Sequence, residues 1–221
     1  MGSDATFTGE PRLPFLPADI LPPVWLGRNA EEVARGLLGC YLVSTLGDAL
    51  TAGRIVETEA YLGVEDPASH AAVRAGRTSR NAPMFGPPGS AYIYLVYGIH
   101  WCLNVVTGAF GDPQAVLLRA IEPSRGHETM RERRGRDHDL ANGPARLSEA
   151  LGVDGSLNRH SLSENPLLLM RGEHPNQDSI GVSGRIGVRH AHDWPLRFFL
   201  RGHPDVSRGK AAASAPRGLL P

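Results

Sequence analysis

The stretch that decides the fold runs from residue 90 to residue 106 and reads SAYIYLVYGIHWCLNVV. Aromatic and β-branched residues alternate on both sides of a central glycine, which is typical of two strands joined by a tight turn at Tyr97 and Gly98. Gly98 suits that turn because a residue without a Cβ adopts positive φ at little steric cost. We therefore predict a β-hairpin with Tyr97 at its tip.

The two faces of this hairpin differ in chemistry. Because side chains alternate along a strand, one face carries Tyr92, Tyr94, Val96, His100, Cys102 and Asn104. Aromatic stripes on strands usually pack into a core, and this is the simplest interpretation of Tyr92 and Tyr94. Tyr97 does not fit it, since a ring at a turn projects into solvent unless a ligand or partner receives it.

The composition sets broad limits on fold and partners. With 221 residues, 41% of them hydrophobic, the chain can bury a core, and we predict one domain at 24–206. Flexible tails are expected at 1–23, which includes a Pro-rich lead-in, and at 207–221. The formal net charge is zero, so any basic surface for a polyanion has to be local.

Cysteine and histidine usage indicates neither a disulfide nor a metal site. Cys40 and Cys102 lie in apolar, strand-like runs without a Cys-x-x-Cys partner, which predicts buried thiols in a reducing compartment. The histidines lack a zinc-binding spacing, so we expect no metal site. The chain has no apolar run long enough for a membrane span and no signal-peptide pattern, so we expect a cytoplasmic, bacterial-type protein without a membrane partner.

A second strand, predicted at 53–61 after a first at 40–46, carries two acidic residues. Strand alternation puts Glu57, Glu59 and Tyr61 on one face. Glutamate is uncommon in strands, so the pair indicates either a solvated sheet edge or a catalytic acid or base. The spacing alone does not decide between these interpretations.

The rest of the chain predicts helices, strands and basic segments. We predict a helix capped by Asn29, a short helix from Asp66 that carries His70, and a helix entered at Gly143. Further strands are predicted at 114–120, ending near Arg119, and at 167–170, 180–182, 185–188 and 196–200. Pro123 is expected to open a helical segment. The predicted basic segments are a loop with Arg74, Arg77 and Arg80 and a patch with Arg125, Arg131, Arg133, Arg134 and Arg136.

Several of these motifs together resemble one enzyme family. They are RIVETEAYLG at 54–63, RNAPMF at 80–85, AYIYLVYG at 91–98, Asn104, LLRAIEP at 117–123 and NGP at 142–144. In order and spacing they are similar to the alkyladenine (3-methyladenine) DNA glycosylases, and the likeness continues through RIGVR at 185–189 and PLRFF at 195–199. It omits both tails.

The resemblance implies a fold, an activity and a set of site residues. The implied fold is a single mixed α/β (α+β) domain around a curved antiparallel sheet with a protruding hairpin and surrounding helices. The implied enzyme is a monomer that removes damaged purines from double-stranded DNA without metal or cofactor. The residues that match the family's site are Glu59 (water activation), Arg119 (sugar and backbone), Tyr61, His70 and Tyr94 (base stacking), Asn104 (exclusion of guanine) and Tyr97 (wedge in the vacated stack).

The chemistry of these residues fits the implied reaction. A carboxylate beside a stacking ring both activates water and stabilises an oxocarbenium-like transition state, and Glu57 is expected to play a supporting part. Lys210 is the single lysine, so no amine is expected beside Glu59 for a Schiff base and we predict no strand cleavage. Two alternatives stay open, a glycoside hydrolase that uses Glu57 and Glu59, and a non-enzymatic nucleic-acid-binding module.

Overall fold

The computed structural model describes residues 17–72 and 76–207. Over these residues the chain forms a curved antiparallel sheet of nine strands with short helices around it, which confirms the predicted mixed α/β class. The strands are β1 (Tyr41–Ser44), β2 (Thr51–Tyr61), β3 (Ala91–Val96), β4 (His100–Thr107), β5 (Gln114–Arg125), β6 (Ser163–Glu164), β7 (Leu167–Met170), β8 (Ile180–Ser183) and β9 (Arg197–Leu200). The helices are α1 (Pro23–Leu26), α2 (Ala30–Gly36), α3 (His127–Arg134) and α4 (Pro144–Leu151), with 3₁₀ turns at Pro17–Asp19, Leu46–Asp48, Gly63–Glu65, Ala82–Phe85, Gly155–Leu157 and Gln177–Ser179.

β2 is the central strand of this sheet. The order of the main path is β3-β4-β5-β2-β1-β7-β6, and β8 and β9 attach to it through β2. One edge of β2 pairs with β5, whereas the other pairs with β1 near its start and with β9 at Glu57–Glu59. The register of β2 against β5 shifts on both sides of Glu57, and such bulges bend a strand. Both edges of β2 are therefore covered where its two glutamates lie.

The predicted hairpin is formed by β3 and β4. Their register runs from Ala91 opposite Val105 to Val96 opposite His100. At the tip, the Ile99 amide donates to the Val96 carbonyl oxygen at 3.1 Å, and both residues between them have positive φ. That combination is the type I′ turn whose twist matches a hairpin, so the predicted tight turn is confirmed.

The helices cover the sheet and build the main core. The Asn29 side chain accepts a hydrogen bond from the Glu31 amide at 2.8 Å, which confirms the predicted cap of α2. Val33 and Ala34 on α2 are fully buried in the cluster that also contains residues of β2, β5 and α4. The predicted α4 is confirmed from Pro144 onward. No helix among residues 17–72 and 76–207 is long and apolar enough to cross a bilayer.

Three sequence predictions about local structure are wrong. Pro123 lies inside β5, and the helix begins only at His127. A proline is tolerated there because β5 pairs with β4 no further than Leu117, which leaves one edge of the strand open at Pro123. The predicted helix after Asp66 is a series of turns, in which the Asp66 carboxylate accepts from the Ala68 amide. The predicted strand at 185–188 is irregular because the Ile186 amide donates to Glu59 instead of a neighbouring strand.

The basic patch predicted around α3 is largely engaged within the protein. Arg133 donates to the carbonyl oxygens of Ala150 at 3.2 Å and Leu46 at 2.7 Å. Arg134 pairs with Glu149, and Arg131 lies 3.1 Å from Glu128. Since Arg133 and Arg134 join α3 to neighbouring elements and Arg131 is paired within the helix, the patch is a weaker candidate for DNA contact than the sequence indicates. Arg74 and Lys210, and most of both predicted tails, lie outside the described residues.

Candidate active site

A cavity of about 730 Å³ opens between the hairpin, the loops that follow β2 and the segment 186–190. Its wall includes six of the seven site residues predicted from the sequence, namely Tyr61, His70, Tyr94, Tyr97, Asn104 and Arg119. The seventh, Glu59, lies directly behind Tyr61 and Arg119, because both of these side chains contact its carboxylate. The structure therefore brings all seven residues together.

Glu59 is held directly behind the cavity wall by three donors. Its Oε1 accepts from the Ile186 amide at 2.7 Å and lies 3.1 Å from Arg119 Nη1. Its Oε2 accepts from the Tyr61 hydroxyl at 3.0 Å. The carboxylate is completely buried. A carboxylate can accept about four hydrogen bonds, so Oε2 retains capacity for one more donor.

Glu57 is also completely buried, so the interpretation as a solvated sheet edge is wrong. Its Oε1 accepts from Arg119 Nε at 2.9 Å, Arg197 Nε at 2.7 Å and the Ser207 hydroxyl at 2.8 Å. Its Oε2 accepts from the Ser207 amide at 2.7 Å. We call Glu57, Glu59, Arg119, Arg197 and Ser207 the carboxylate cluster.

Arg119 links the two glutamates of the carboxylate cluster. The sequence puts it at the end of a strand, but it lies in the middle of β5 and is 6% exposed. Burial alone would lower the pKa of Arg119, but the adjacent carboxylates of Glu59 and Glu57 outweigh that effect and raise it. Arg119 therefore provides a permanent positive charge that fixes the Glu59 side chain.

Tyr61 forms one wall of the cavity and is supported from behind. Burial raises its pKa well above the usual range and the nearby Glu59 carboxylate adds to this, so the hydroxyl stays protonated and donates. The Arg185 guanidinium lies 4.7 Å from the centre of the Tyr61 ring. Arg185 in turn forms a completely buried pair with Asp66, in which two guanidinium nitrogens contact the two carboxylate oxygens.

A second wall of the cavity consists of His70, Tyr92 and Tyr94, whose rings are uncharged. His70 Nδ1 lies 2.8 Å from the Tyr92 hydroxyl, and the His70 ring contacts Tyr94 edge to face with 4.6 Å between centroids. Burial lowers the pKa of His70, and the Arg80 guanidinium lowers it further, so His70 is neutral at pH 7. Burial also raises the pKa values of Tyr92 and Tyr94. This wall therefore offers ring faces and neutral polar groups.

Asn104 and Cys102 lie on the hairpin face predicted from the sequence. The Asn104 amide group donates to the Tyr92 carbonyl oxygen at 3.0 Å, which fixes its orientation. Burial raises the pKa of Cys102 to about 11, so its thiol is neutral. Cys40 and Cys102 are both free and buried, as predicted.

Tyr97 lies at the hairpin tip and is 90% exposed. Its φ of 53° is positive, which is unusual for a residue with a large side chain. Ile99, on the other side of Gly98, is 70% exposed. Two large side chains therefore stand in solvent at the hairpin tip, and that of Tyr97 is also part of the cavity lining.

Sequence reasoning missed several groups that hold this site together. They are Arg197 and Ser207 in the carboxylate cluster, the Ile186 amide on Glu59, and the Arg185–Asp66 pair behind Tyr61. The sequence predicts only a short helix that starts at Asp66, and it places Ser207 in the C-terminal tail. Among the described residues, no three His, Cys, Asp or Glu side chains converge as a metal site would require.

Comparison with known proteins gives a consistent result. The sequence model of the methylpurine-DNA glycosylase (MPG) family matches residues 24–204. A Carboxydothermus hydrogenoformans protein named "Putative 3-methyladenine DNA glycosylase" is 44% identical over 192 residues, which are 86% of this chain and 99% of that protein. A protein of the same name from Methanoculleus marisnigri is 47% identical over 193 residues, 85% of this chain and 98% of that protein. The human "DNA-3-methyladenine glycosylase" is 42% identical over 196 residues, which cover 80% of this chain and 64% of the human protein. The chain therefore belongs to the methylpurine-DNA glycosylase family.

Proposed function

We propose that this protein is a DNA repair glycosylase. It removes alkylated or deaminated purines from double-stranded DNA by hydrolysing the N-glycosidic bond, and it leaves an abasic site. Family membership and the names of the relatives support this activity. The observation that carries the proposal is a buried carboxylate, Glu59, held beside a guanidinium directly behind the wall of an aromatic cavity.

The cavity suits a purine that has left the duplex. Its volume of about 730 Å³ is in the range of small-molecule sites, and a base inside a helix would be out of reach of Glu59. The base would therefore be flipped and would stack between Tyr61 on one side and His70 and Tyr94 on the other. Tyr97 would fill the gap left in the helix, which offsets part of the lost stacking.

Glu59 would act on the water that attacks the sugar. Its Oε2 accepts from the Tyr61 hydroxyl alone among the described residues, so a water hydrogen bonded there could transfer a proton to it as the C1′–N bond breaks. The same negative charge would stabilise the oxocarbenium-like transition state. Because the carboxylate is completely buried, Tyr61 or Arg119 has to shift slightly when DNA binds, so that the water can enter.

Two further residues would determine which DNA is bound. Asn104 is fixed by its bond to the Tyr92 carbonyl oxygen, so it would collide with the 2-amino group of guanine rather than turn away. Arg119 would face the sugar and backbone of the flipped nucleotide. We expect a monomer that carries out hydrolysis alone, without strand cleavage.

Substitution of Glu59 tests the proposal directly. Glu59→Gln keeps the shape of the side chain but removes the proton acceptor, so release of hypoxanthine or methylpurine from single-lesion duplexes should fall by about 10²- to 10⁴-fold. Duplex binding should change by less than about tenfold, and this retained affinity distinguishes a loss of chemistry from a loss of the fold. The matched control is Glu164→Gln, which changes an exposed glutamate on the far strand β6 and should leave base release unchanged.

The wild-type protein separates the competing explanations. A non-enzymatic DNA-binding module would bind duplexes in a salt-dependent way and release no base. A carbohydrate hydrolase would cleave glycosides and not damaged DNA. Borohydride added during turnover should trap no protein–DNA adduct; a trapped adduct would contradict hydrolysis by water.

A further inference from the structure

We propose that Arg80 makes the cavity select neutral damaged purines over cationic ones, because its guanidinium lies on the stacking ring of Tyr94. Neutral lesions here are deaminated purines and exocyclic adducts, whereas the cationic lesions are purines alkylated on a ring nitrogen. The inference rests on the proposed function and specifies the substrate class of the same site.

Two contacts fix the Arg80 guanidinium at the cavity. Its Cζ lies 5.1 Å from the centre of the Tyr94 ring, and its Nη2 donates to the Leu95 carbonyl oxygen at 3.1 Å. Arg80 also belongs to the lining of the cavity, together with His70 and Tyr94. Although much of the residue is exposed, the charge itself is therefore held at the ring against which a flipped base would stack.

The charges on the cavity lining all have one sign. Of the described residues that form the lining, three are arginines, namely Arg80, Arg119 and Arg189, and none is an Asp or Glu. The carboxylates of Glu57 and Glu59 lie behind the lining and balance the charge of Arg119. The positive potential that a cationic base meets in the cavity therefore comes from Arg80 and Arg189.

This arrangement changes what the aromatic walls can do. A free tyrosine ring attracts a cation to its face, which would favour cationic bases. Here the ring of Tyr94 already interacts with Arg80, and the ring of Tyr61 interacts with Arg185. The Arg185 charge is balanced by Asp66, so Arg80 is the guanidinium on a stacking ring without such a carboxylate in the contacts described. A neutral purine keeps the stacking energy without the repulsion.

His70 is consistent with this selection. It forms part of the same wall and is neutral, because burial lowers its pKa and the Arg80 guanidinium adds to the effect. A neutral imidazole bonded to the Tyr92 hydroxyl can contact a polar, uncharged base without charge repulsion.

The test compares two lesions in otherwise identical duplexes, one with a single hypoxanthine and one with a single 7-methylguanine. The measured quantity is the ratio of kcat/KM for 7-methylguanine to kcat/KM for hypoxanthine, taken relative to wild type. This ratio cancels any equal loss of DNA affinity and the faster spontaneous release of cationic bases. Arg80→Met should raise the ratio by roughly three- to tenfold, as expected for removal of one partly screened charge near the base.

Two variants control for charge and for position. Arg80→Lys keeps the charge and should leave the ratio within about twofold of wild type. Arg77→Met removes a charge from the same loop, but Arg77 lies over Phe85 and outside the cavity lining, so its ratio should also stay near wild type. Melting temperatures of all variants should match wild type, since Arg80 is exposed.

The inference is overturned if Arg80→Met lowers both activities equally, which would make Arg80 a DNA backbone contact, or if Arg80→Lys raises the ratio as much as Arg80→Met. In both cases the wild type still releases bases, so the proposed function survives. If the wild type releases neither base, the proposed function fails and this inference fails with it.

Discussion

The carboxylate cluster and the hairpin tip are both parts of the candidate site, but they are built in opposite ways. Glu57 and Glu59 are completely buried, and seven donor groups from five residues fix their carboxylates. Tyr97 is 90% exposed and makes its turn at positive φ. We therefore expect the cluster to contribute to the stability of the fold as well as to the reaction, whereas the exposed tip can contact a partner.

This difference shows how substitutions should be interpreted. A change in the carboxylate cluster leaves charged groups unpaired in the interior, so a loss of activity there can reflect a loss of the fold. A change at the tip removes few contacts within the protein. A loss of activity after such a change therefore reflects a lost interaction with DNA. The predictions below test this distinction, from the largest expected effect to the smallest.

The largest effect is expected for Glu57→Gln. The neutral amide leaves Arg119 and Arg197 without their buried counter-charge, and breaking such a pair costs about 3 to 5 kcal/mol of the free energy of unfolding. For a domain of this size the melting temperature should fall by roughly 6 to 20 °C. Thermal unfolding followed by circular dichroism measures this shift.

Glu164→Gln is again the matched control, because an exposed glutamate should change the free energy of unfolding by less than about 0.5 kcal/mol. Below its melting temperature, Glu57→Gln should retain more base release than Glu59→Gln, since the water is expected at Glu59, whereas the oxygens of Glu57 already accept from four donors. A Glu57→Gln protein as stable as wild type would mean that the cluster is not needed for the fold.

The hairpin could be predicted from the sequence because its signals are local. Alternation along β3 and β4, with Gly98 between them, fixes the turn and the faces, and the structure confirms both. The capped helix α2 and the strand Leu167–Met170 depend on equally local patterns. The failures around Asp66, Pro123 and Arg185 occur where a distant partner overrides the local preference.

The carboxylate cluster could be predicted only in part. Alternation along β2 indicates that Glu57 and Glu59 lie near each other, but Arg197 and Ser207 lie 140 and 150 residues further along the chain. No local pattern indicates that β9 and the segment after it return to β2. The roles of the seven predicted site residues stay predictions, although the structure gathers them at one cavity.

A smaller effect, and one of a different kind, is expected for Tyr97→Ala. Removal of an exposed ring should leave the melting temperature within about 2 °C of wild type. On a paired duplex, kcat/KM for base release should fall by a factor that corresponds to about 1 to 3 kcal/mol, the contribution of one base–aromatic stack.

The loss should shrink when the lesion lies opposite a mismatch, where less stacking has to be broken before the base leaves the helix. Single-turnover rates on paired and mismatched duplexes measure this difference. A large fall in melting temperature, with equal losses on both duplexes, would indicate that Tyr97 supports the fold and would remove the contrast between tip and cluster.

The smallest effect is expected for a carboxylate–arginine pair that lies outside the site. The pair joins β5 and β2, the two strands that also carry Arg119, Glu57 and Glu59. Glu122 on β5 lies 3.5 Å from His203 and 2.8 Å from Arg54 on β2, and its side chain is 40% exposed. The hydrogen bond with His203, followed by the Arg54 charge, lowers the pKa of Glu122 from 4.5 to about 2. This pair therefore shows how much a carboxylate–guanidinium contact contributes to the free energy of unfolding when solvent has access to it.

A lowered pKa in the folded state means that the pair stabilises the protein above pH 4.5 and that this contribution is lost as the pH falls from 4.5 towards 2. Because solvent screens the pair, we expect about 1 kcal/mol at pH 7, well below the effect of Glu57→Gln. Urea unfolding of wild type and Glu122→Gln from pH 7 to pH 3 measures it, and the difference between the two proteins should narrow below pH 4.5. A difference in free energy of unfolding that stays constant with pH would show that packing, and not charge, accounts for it. A difference as large as that caused by Glu57→Gln would show that burial does not distinguish the carboxylate cluster from an ordinary ion pair.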